Sequence, residues 1–198
     1  MKPVVGNLYD KYRTRNPVAR ALMQRFLRTV GELARSTAAQ SVLEVGCGEG
    51  HLSRYLFQQL APKHFAACDL SLERVEASMR RDIELREASV YALPYEDCSF
   101  DLVVCCEVLE HLEFPDRALE QIARVARKWA LFSTPNEPFF RGMNLLRGAY
   151  LGSLGNTPGH LQHFSPASLT ALVRDRFVVS DTRTPFPWIV VLAQRSHP

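Results

Sequence analysis

Apolar residues recur along the chain at two spacings, that of an amphipathic helix and that of a short buried strand. Asn16-Pro17 predicts a helix start, because an Asn cap is followed by proline at the first helical position. Apolar side chains then fall at helical spacing from Val18 to Leu33. An apolar run at 41–45 predicts the first strand, and helical spacing resumes from Leu52 to Leu60.

The same alternation continues through the chain. Further strands are predicted at 64–68, 83–90, 100–106 and 129–133, and further helices at 71–81, 115–127 and after Ser165. Strands that alternate with helices imply a parallel sheet with helices on both faces. The last two strands, 177–180 and 188–193, are separated by too few residues for a helical crossover and should pair antiparallel. The pattern therefore predicts an α/β, doubly wound, mostly parallel seven-stranded sheet with an antiparallel last strand.

The composition is that of an ordinary globular protein, and we expect residues 1–198 to form a single domain. It contains 46% hydrophobic residues, and its apolar runs fall short of the ~18 residues that a membrane span requires. Polar residues appear too early in the N-terminal segment for it to contain the apolar region of a signal peptide. We therefore expect a cytoplasmic location. Five cysteines without a C-x-x-C pair argue against disulfides and a thiolate zinc site. A net charge of +3 is too weak to imply nucleic acid as a partner.

A glycine-rich loop follows the first strand, with Gly46, Gly48 and Gly50. Ligands of doubly wound sheets bind beyond the carboxyl ends of the strands, and glycines let a ligand approach the backbone. Asp69 ends the second strand about 20 residues on, where a carboxylate can accept both ribose hydroxyls of a nucleoside. A dinucleotide site would need glycine at position 51, which is His51. The nearby Glu44 favours a cationic sulfonium and ammonium over a pyrophosphate.

Three stretches of the chain carry a family resemblance. VLEVGCGEG and ACDLS resemble the first two motifs of class I S-adenosylmethionine-dependent methyltransferases, and EASVYALPYEDCSFDLVVCCEVLEHL resembles the motifs that follow. The resemblance implies the seven-stranded fold, S-adenosylmethionine at the glycine loop, Asp69 on the ribose and Leu70 against the adenine. Further cofactor contacts that it implies are Glu44, Gly46, Cys47, Gly48, Gly50, Val90, Glu107 and Val108. Relatives often carry an acid for the adenine amine where this chain has Ser89.

Two segments outside these motifs are expected to complete the site. Residues 1–16 form an N-terminal arm containing Tyr12, and in many relatives such an arm folds over the cofactor as a lid; a frayed terminus is the alternative. Residues 135–165 are predicted to be an acceptor-site insertion. Its apolar walls and anion contacts would come from Phe139, Phe140, Tyr150, Phe164, Arg141 and Arg147. These residue types favour a small organic acceptor.

The predicted catalytic residues are three histidines and one amide. Glu107, Glu110 and His111 are placed on one face at the start of a helix after the fourth strand. His160 and His163 lie three apart in the later loop, and Asn136 follows the fifth strand on the ligand edge. The catalytic candidates are therefore His111, His163, His160 and Asn136.

Three interpretations of these residues compete. In the favoured one, His111 or His163 is a general base that removes a proton from an acceptor hydroxyl. In the second, the acids and histidines bind Mg²⁺ or Mn²⁺. E-x-x-E-H is similar to ubiquinone-biosynthesis O-methyltransferases and small-RNA terminal-ribose methyltransferases, where such a metal role is known. In the third, Glu107 touches the cofactor while Glu110 and His111 satisfy backbone groups.

The sequence thus predicts an S-adenosylmethionine-dependent methyltransferase that acts on a small organic acceptor, with O-methylation expected. One alternative is a metal-dependent RNA terminal-ribose methyltransferase. The chain lacks the interleaving of aromatic and basic residues that marks a single-stranded nucleic-acid surface, which argues against this alternative. The other alternative is a non-catalytic regulatory subunit that binds S-adenosylmethionine.

Overall fold

The computed structural model describes residues 16–75, 79, 81–137 and 160–196, where strands and helices alternate. The elements, in chain order, are α1 (Pro17–Ser36), β1 (Ser41–Val45), α2 (His51–Leu60), β2 (His64–Asp69), β3 (Glu84–Glu87), β4 (Phe100–Cys106), α3 (Pro115–Val125), β5 (Ala126–Pro135), α4 (Pro166–Arg174), β6 (Phe177–Arg183) and β7 (Trp188–Arg195). The predicted arm at 1–16, apart from Asn16, and the insertion between 138 and 159 lie outside the described residues. This includes Tyr12, the other arm residues and most of the expected acceptor contacts.

The strands form one seven-stranded sheet in the order β3-β2-β1-β4-β5-β7-β6. Strands β1 to β5 pair in parallel, and β7 is antiparallel to both β5 and β6. The predicted fold is therefore confirmed. From β1 the chain adds strands first on one side and then, from β4, on the other. The point where a parallel sheet of this kind binds ligands thus lies at the carboxyl ends of β1 and β4.

Apolar side chains fill two layers, one on each face of the sheet. Helix α1 begins at the predicted cap, where Asn16 Oδ1 accepts the N–H of Val18 at 2.9 Å. Its buried side chains pack with those of α2 on one face, and the side chains of α3 and α4 cover the other. Within the described part of the chain, no helix combines the length and apolar character needed to cross a bilayer.

Two predicted helices are wrong. In place of a helix at 71–81, residues 71–75 form turns and residues 79 and 81 belong to a short 3-10 segment. Leu72, Val75 and Met79 are nevertheless buried against the α2 side of the core, because the same apolar spacing serves a series of turns. Strand β3 is also shorter than predicted, because β2 ends at Asp69, whose carbonyl accepts the N–H of Ala88, and the chain then forms a local turn in which the N–H of Ala92 donates to the carbonyl of Ser89.

The second wrong helix is the one expected after β4, where the chain forms a 3-10 turn, Leu109–His111. An α-helix would need the carbonyl of Glu110 to accept the N–H of Phe114. That carbonyl instead accepts the N–H groups of Leu161 and Gln162, at 2.8 and 3.0 Å, while the N–H of Phe114 donates to Tyr91 Oη. Contacts with the distant loop therefore replace the helix.

Candidate active site

The glycine loop lies directly beyond β1, against the residue that follows Glu107. All three glycines have positive φ. A Cβ added at Gly46 would collide with Val108 Cγ2, so glycine is needed for this close approach. At Gly48, by contrast, an added Cβ would meet no atom of the described residues within 4 Å. The loop therefore packs against Val108 at one end and leaves open space at Gly48.

Asp69 faces this open part of the loop. Its Oδ2 accepts the N–H of Gly48 at 2.7 Å, which fixes the carboxylate while leaving its other lone pairs available. The next side chain, Leu70, is 52% exposed. A carboxylate beside an exposed apolar side chain can accept ribose hydroxyls while a purine packs alongside, and this is where both residues were expected.

Glu44 lies one strand away and is almost completely buried, with 2% exposure. One of its oxygens accepts a hydrogen bond from Ser53 Oγ on α2. Burial raises the pKa of Glu44 to about 8, and the nearby Asp69 adds to the rise, while the Ser53 hydrogen bond opposes it. A cation placed close to this carboxyl would favour its charged form.

Cys47 contributes to the site through its backbone rather than its thiol. Its N–H, like that of Gly46, donates to the carbonyl of Cys68, which ties the loop to the end of β2. The side chain is 6% exposed, and burial raises the pKa of its thiol well above the usual range. A neutral thiol here packs as a small apolar group.

The two residues expected near the adenine are used differently. Ser89 Oγ accepts the N–H of Tyr91 at 3.2 Å, which closes a local turn, and the hydroxyl retains a donor and a second lone pair. Val90 is 7% exposed and packs in the core on the α3 side. Ser89 thus keeps hydrogen-bonding capacity, whereas Val90 offers little surface.

Glu107 adopts a left-handed backbone conformation, with φ of 59°, immediately after β4. Its carboxylate is held by two donors, Ser133 Oγ at 3.1 Å and Trp188 Nε1 at 2.9 Å. Sequence reasoning missed both, because they lie on β5 and β7 and no spacing relates them to Glu107. The side chain is thus directed towards these two strands.

The other acid of the same motif belongs to a histidine cluster. Glu110, His111 and His160 each offer one ligand atom, and these atoms lie within 4.8 Å of one another. The rings of the two histidines stand edge to face, with centroids 5.0 Å apart. Glu110 is 1% exposed, whereas His111 is exposed. Among the residues that the structure describes, Glu107 and His163 do not join this group.

Residues 136 and 137, just beyond β5, border the cluster. Glu137, which sequence reasoning missed, has Oε1 at 2.8 Å from His160 Nδ1, and both side chains are 6% exposed. The N–H of Asn136 donates to the carbonyl of Pro187. His163 is exposed, and Phe164, expected as an acceptor wall, is buried in the core. The structure thus brings His111 and His160 together and leaves His163 apart.

Known proteins resemble this chain in sequence and in fold. Residues 43–133 match the family described as Methyltransferase domain. A ubiquinone biosynthesis O-methyltransferase from Azoarcus sp. (strain BH72) is 30% identical over 151 residues, which are 70% of this chain and 64% of that protein. A fatty-acid O-methyltransferase from Mycolicibacterium smegmatis is 32% identical over 111 residues, 51% of this chain and 40% of that protein. The chain thus spans less than two thirds of these curated relatives.

Solved structures confirm the fold. The magnesium protoporphyrin IX methyltransferase from Synechocystis PCC 6803, solved with bound SAH, superposes with a TM-score of 0.68 at 19% identity, covering 94% of this chain and 91% of that one. The [4+2]-cyclase SpnF superposes with a TM-score of 0.69 at 14% identity, covering 94% and 84%. One fold therefore accompanies different reactions, and the reaction has to be argued from the site.

Proposed function

We propose that the chain, in which residues 43–133 match a methyltransferase domain, is a class I S-adenosylmethionine-dependent methyltransferase that transfers a methyl group from S-adenosylmethionine to an oxygen atom of a small organic acceptor in the cytoplasm. One observation carries the proposal. The open loop at Gly48, with Asp69 fixed beside it, packs through Gly46 against Val108, which leads into the turn that bears Glu110 and His111. The residues that we assign to the cofactor, Gly48 and Asp69 among them, are called the cofactor half of the site. The turn with Glu110 and His111 belongs to the proton-accepting half, and the two halves are adjacent at the switch point of the sheet.

S-adenosylmethionine supplies a methyl group on a positively charged sulfur, which is already activated for transfer. The protein has to bind and align the two reactants, and alignment alone is worth up to ~7–11 kcal/mol. We assign the ribose to Asp69, and the positive charge of the methionyl part to the neighbourhood of Glu44. Gly46, Cys47, Gly48 and Gly50 form the backbone surface on which the cofactor lies.

An acceptor hydroxyl, unlike a fatty-acid carboxylate, also has to lose its proton. His111 and His160 are the imidazoles that the described residues bring to one place, and a neutral imidazole is suited to take a proton near neutrality. His163 is exposed and outside the cluster, so we favour His160 and His111 over His163 for this task. Oxygen as the methylated atom is supported by the two curated O-methyltransferases that the chain resembles.

A second candidate keeps the same reaction and replaces the base by a divalent metal. Its support is the cluster of Glu110, His111 and His160, whose ligand atoms are close enough to share one ion. Such an ion would hold the acceptor oxygen and lower the pKa of its hydroxyl. Glu107 fits this role less well, because both of its carboxylate oxygens accept hydrogen bonds from Ser133 and Trp188. One carboxylate and two imidazoles suit Mn²⁺ or Fe²⁺ better than Mg²⁺.

The test uses the purified protein with S-adenosylmethionine and two probe acceptors, the phenol 3,4-dihydroxybenzoate and the fatty acid dodecanoate. S-adenosylhomocysteine and the methylated product are measured by mass spectrometry. We expect equal amounts of both with at least one probe, and the same rate in EDTA. Loss of turnover in EDTA that Mn²⁺ or Mg²⁺ restores would replace the base by the metal. Failure of S-adenosylmethionine to bind in calorimetry would overturn the proposed function.

A further inference from the structure

Glu137 forms an acid–imidazole pair with His160, which is a member of the histidine cluster. Neither the sequence motifs nor the similarity to known proteins assigns Glu137 a role. We propose that Glu137 is a positioning residue that fixes the tautomer of His160, so that His160 takes the proton from the acceptor. This proposal rests on the proposed function for the identity of the reaction. The pairing itself is a property of the free protein and can be tested without an acceptor.

The contact has the geometry of a strong hydrogen bond. Glu137 Oε1 lies 2.8 Å from His160 Nδ1, in the range of hydrogen bonds to ionised groups. Each side chain is only 6% exposed, so water competes little for either partner. A carboxylate only accepts hydrogen bonds, and therefore Nδ1 carries the proton. A neutral His160 is then left with its lone pair on Nε2, the nitrogen that can accept a proton.

Backbone contacts hold both partners in place. The N–H of Glu137 donates to the carbonyl of Phe164 at 3.1 Å, and the N–H of Leu161 donates to the carbonyl of Glu110 at 2.8 Å. The segment that begins with His160 is thereby joined both to the end of β5 and to the turn that contains Glu110. An imidazole ring fixed in this way loses little rotational freedom when the acceptor binds, which is the condition for an efficient base.

The other two histidines of the site are more exposed than His160. His163 is exposed, and its side chain is outside the cluster that the described residues form. His111 is exposed as well, and its ring stands edge to face with that of His160. Among these three rings, His160 is thus the most buried, and its Nδ1 lies at hydrogen-bonding distance from a carboxylate oxygen.

The tautomer of His160 can be read directly from long-range ¹H–¹⁵N correlation spectra of the ¹⁵N-labelled protein, recorded where the ring is neutral. His160→Gln identifies the resonances by their loss. We expect protonated Nδ1 and unprotonated Nε2 in the wild type. Glu137→Met, which removes the acceptor at similar volume, should shift the ring towards the Nε2–H form that free histidine favours. Glu113→Met, which changes an exposed acid two residues from His111, is the matched control and should leave the spectrum unchanged.

Turnover of 3,4-dihydroxybenzoate, the probe acceptor with hydroxyls to deprotonate, gives the second readout. Glu137→Met should lower kcat at least about tenfold, less than the ~10²–10⁴-fold that loss of a general base costs. Its affinity for S-adenosylhomocysteine in calorimetry should stay unchanged, since Glu137 is not assigned to the cofactor. A wild-type spectrum with Nε2–H at His160 would overturn the proposal even if the variants fail to fold. Absence of cofactor binding with Nδ1–H intact would instead contradict the proposed function and spare the pairing.

Discussion

Replacing Glu44 by Gln tests the electrostatics of the cofactor half in the free protein. Glu44 is 2% exposed and accepts a hydrogen bond from Ser53 Oγ. The Gln side chain has nearly the same shape and keeps an oxygen that can accept from Ser53, but it does not titrate. The variant therefore removes a buried ionisable group with little change in packing.

The expected magnitude follows from the pKa of Glu44, which is 4.5 in the unfolded chain and about 8 in the folded protein. Between these two values the folded state keeps the proton that the unfolded state has released. The folded state thus binds more protons, and the free energy of unfolding falls as the pH rises. The contribution is fully present below pH 4.5 and is lost by about pH 8. At ~1.4 kcal/mol for each pH unit, the wild type loses up to roughly 5 kcal/mol across this window.

Urea unfolding followed by circular dichroism between about pH 5 and pH 8.5, with reductant for the free cysteines, measures this loss. The wild type should lose stability with rising pH more steeply than Glu44→Gln, and the variant should become the more stable protein towards pH 8. Other titrating groups are common to both proteins and cancel in the difference. Glu96→Gln, at an exposed position, is the control and should follow the wild type. Equal pH slopes for Glu44→Gln and the wild type would refute the reasoning.

Two further substitutions probe the cofactor loop. Asp69→Ala removes hydrogen bonds to a charged group, worth ~1.5–3 kcal/mol, and should weaken S-adenosylhomocysteine binding roughly ten- to a hundredfold in calorimetry; unchanged affinity would exclude Asp69 from the ribose site. Gly48→Val should abolish binding, because its side chain would fill the open space that we assign to the cofactor; the protein should remain folded by circular dichroism, although the positive φ strains a β-branched residue. Gly46→Ala is the contrasting variant and should lose stability, since its Cβ would collide with Val108. Normal binding by Gly48→Val would show that the cofactor lies elsewhere.

Much of the fold could be predicted because its signals are local. The start of α1 depends on Asn16 and Pro17, which are adjacent, and β1, β2 and β5 contain short apolar runs that stop at a glycine, an aspartate and a proline. The antiparallel pair β6 and β7 followed from the short connection between them. The helix predicted at 71–81 could not be corrected from sequence, because residues that bury one apolar face have the same spacing in a helix and in a series of turns.

The cofactor half of the site could be predicted for the same reason, and His111 and His160 were among the predicted catalytic residues, whereas the partners Ser133, Trp188 and Glu137 could not be found from sequence. Gly48 lies in the loop just beyond β1 and Asp69 is the last residue of β2, so the order of the strands brings them together. The partners of the other half are remote in sequence: Trp188 is 81 residues from Glu107, and His160 is 23 residues from Glu137. No periodicity connects such positions. The pairing of β5 with β4 and β7 brings Trp188 to Glu107, and loop contacts such as Glu137 N–H to the carbonyl of Phe164 bring His160 to Glu137.

Four of the carboxyl groups that the structure describes at the carboxyl edge of this sheet accept hydrogen bonds, each from a different donor. Asp69 accepts a backbone N–H, Glu44 a hydroxyl, Glu107 a hydroxyl and an indole N–H, and Glu137 an imidazole N–H. Buried carboxylates without donors would be costly, and unheld ones would have to be reoriented whenever a ligand enters. Each hydrogen bond occupies only some of the lone pairs of the carboxyl group and fixes its orientation. The remaining lone pairs therefore keep a fixed direction. The site is therefore organised for a positively charged, hydroxyl-bearing ligand before that ligand binds.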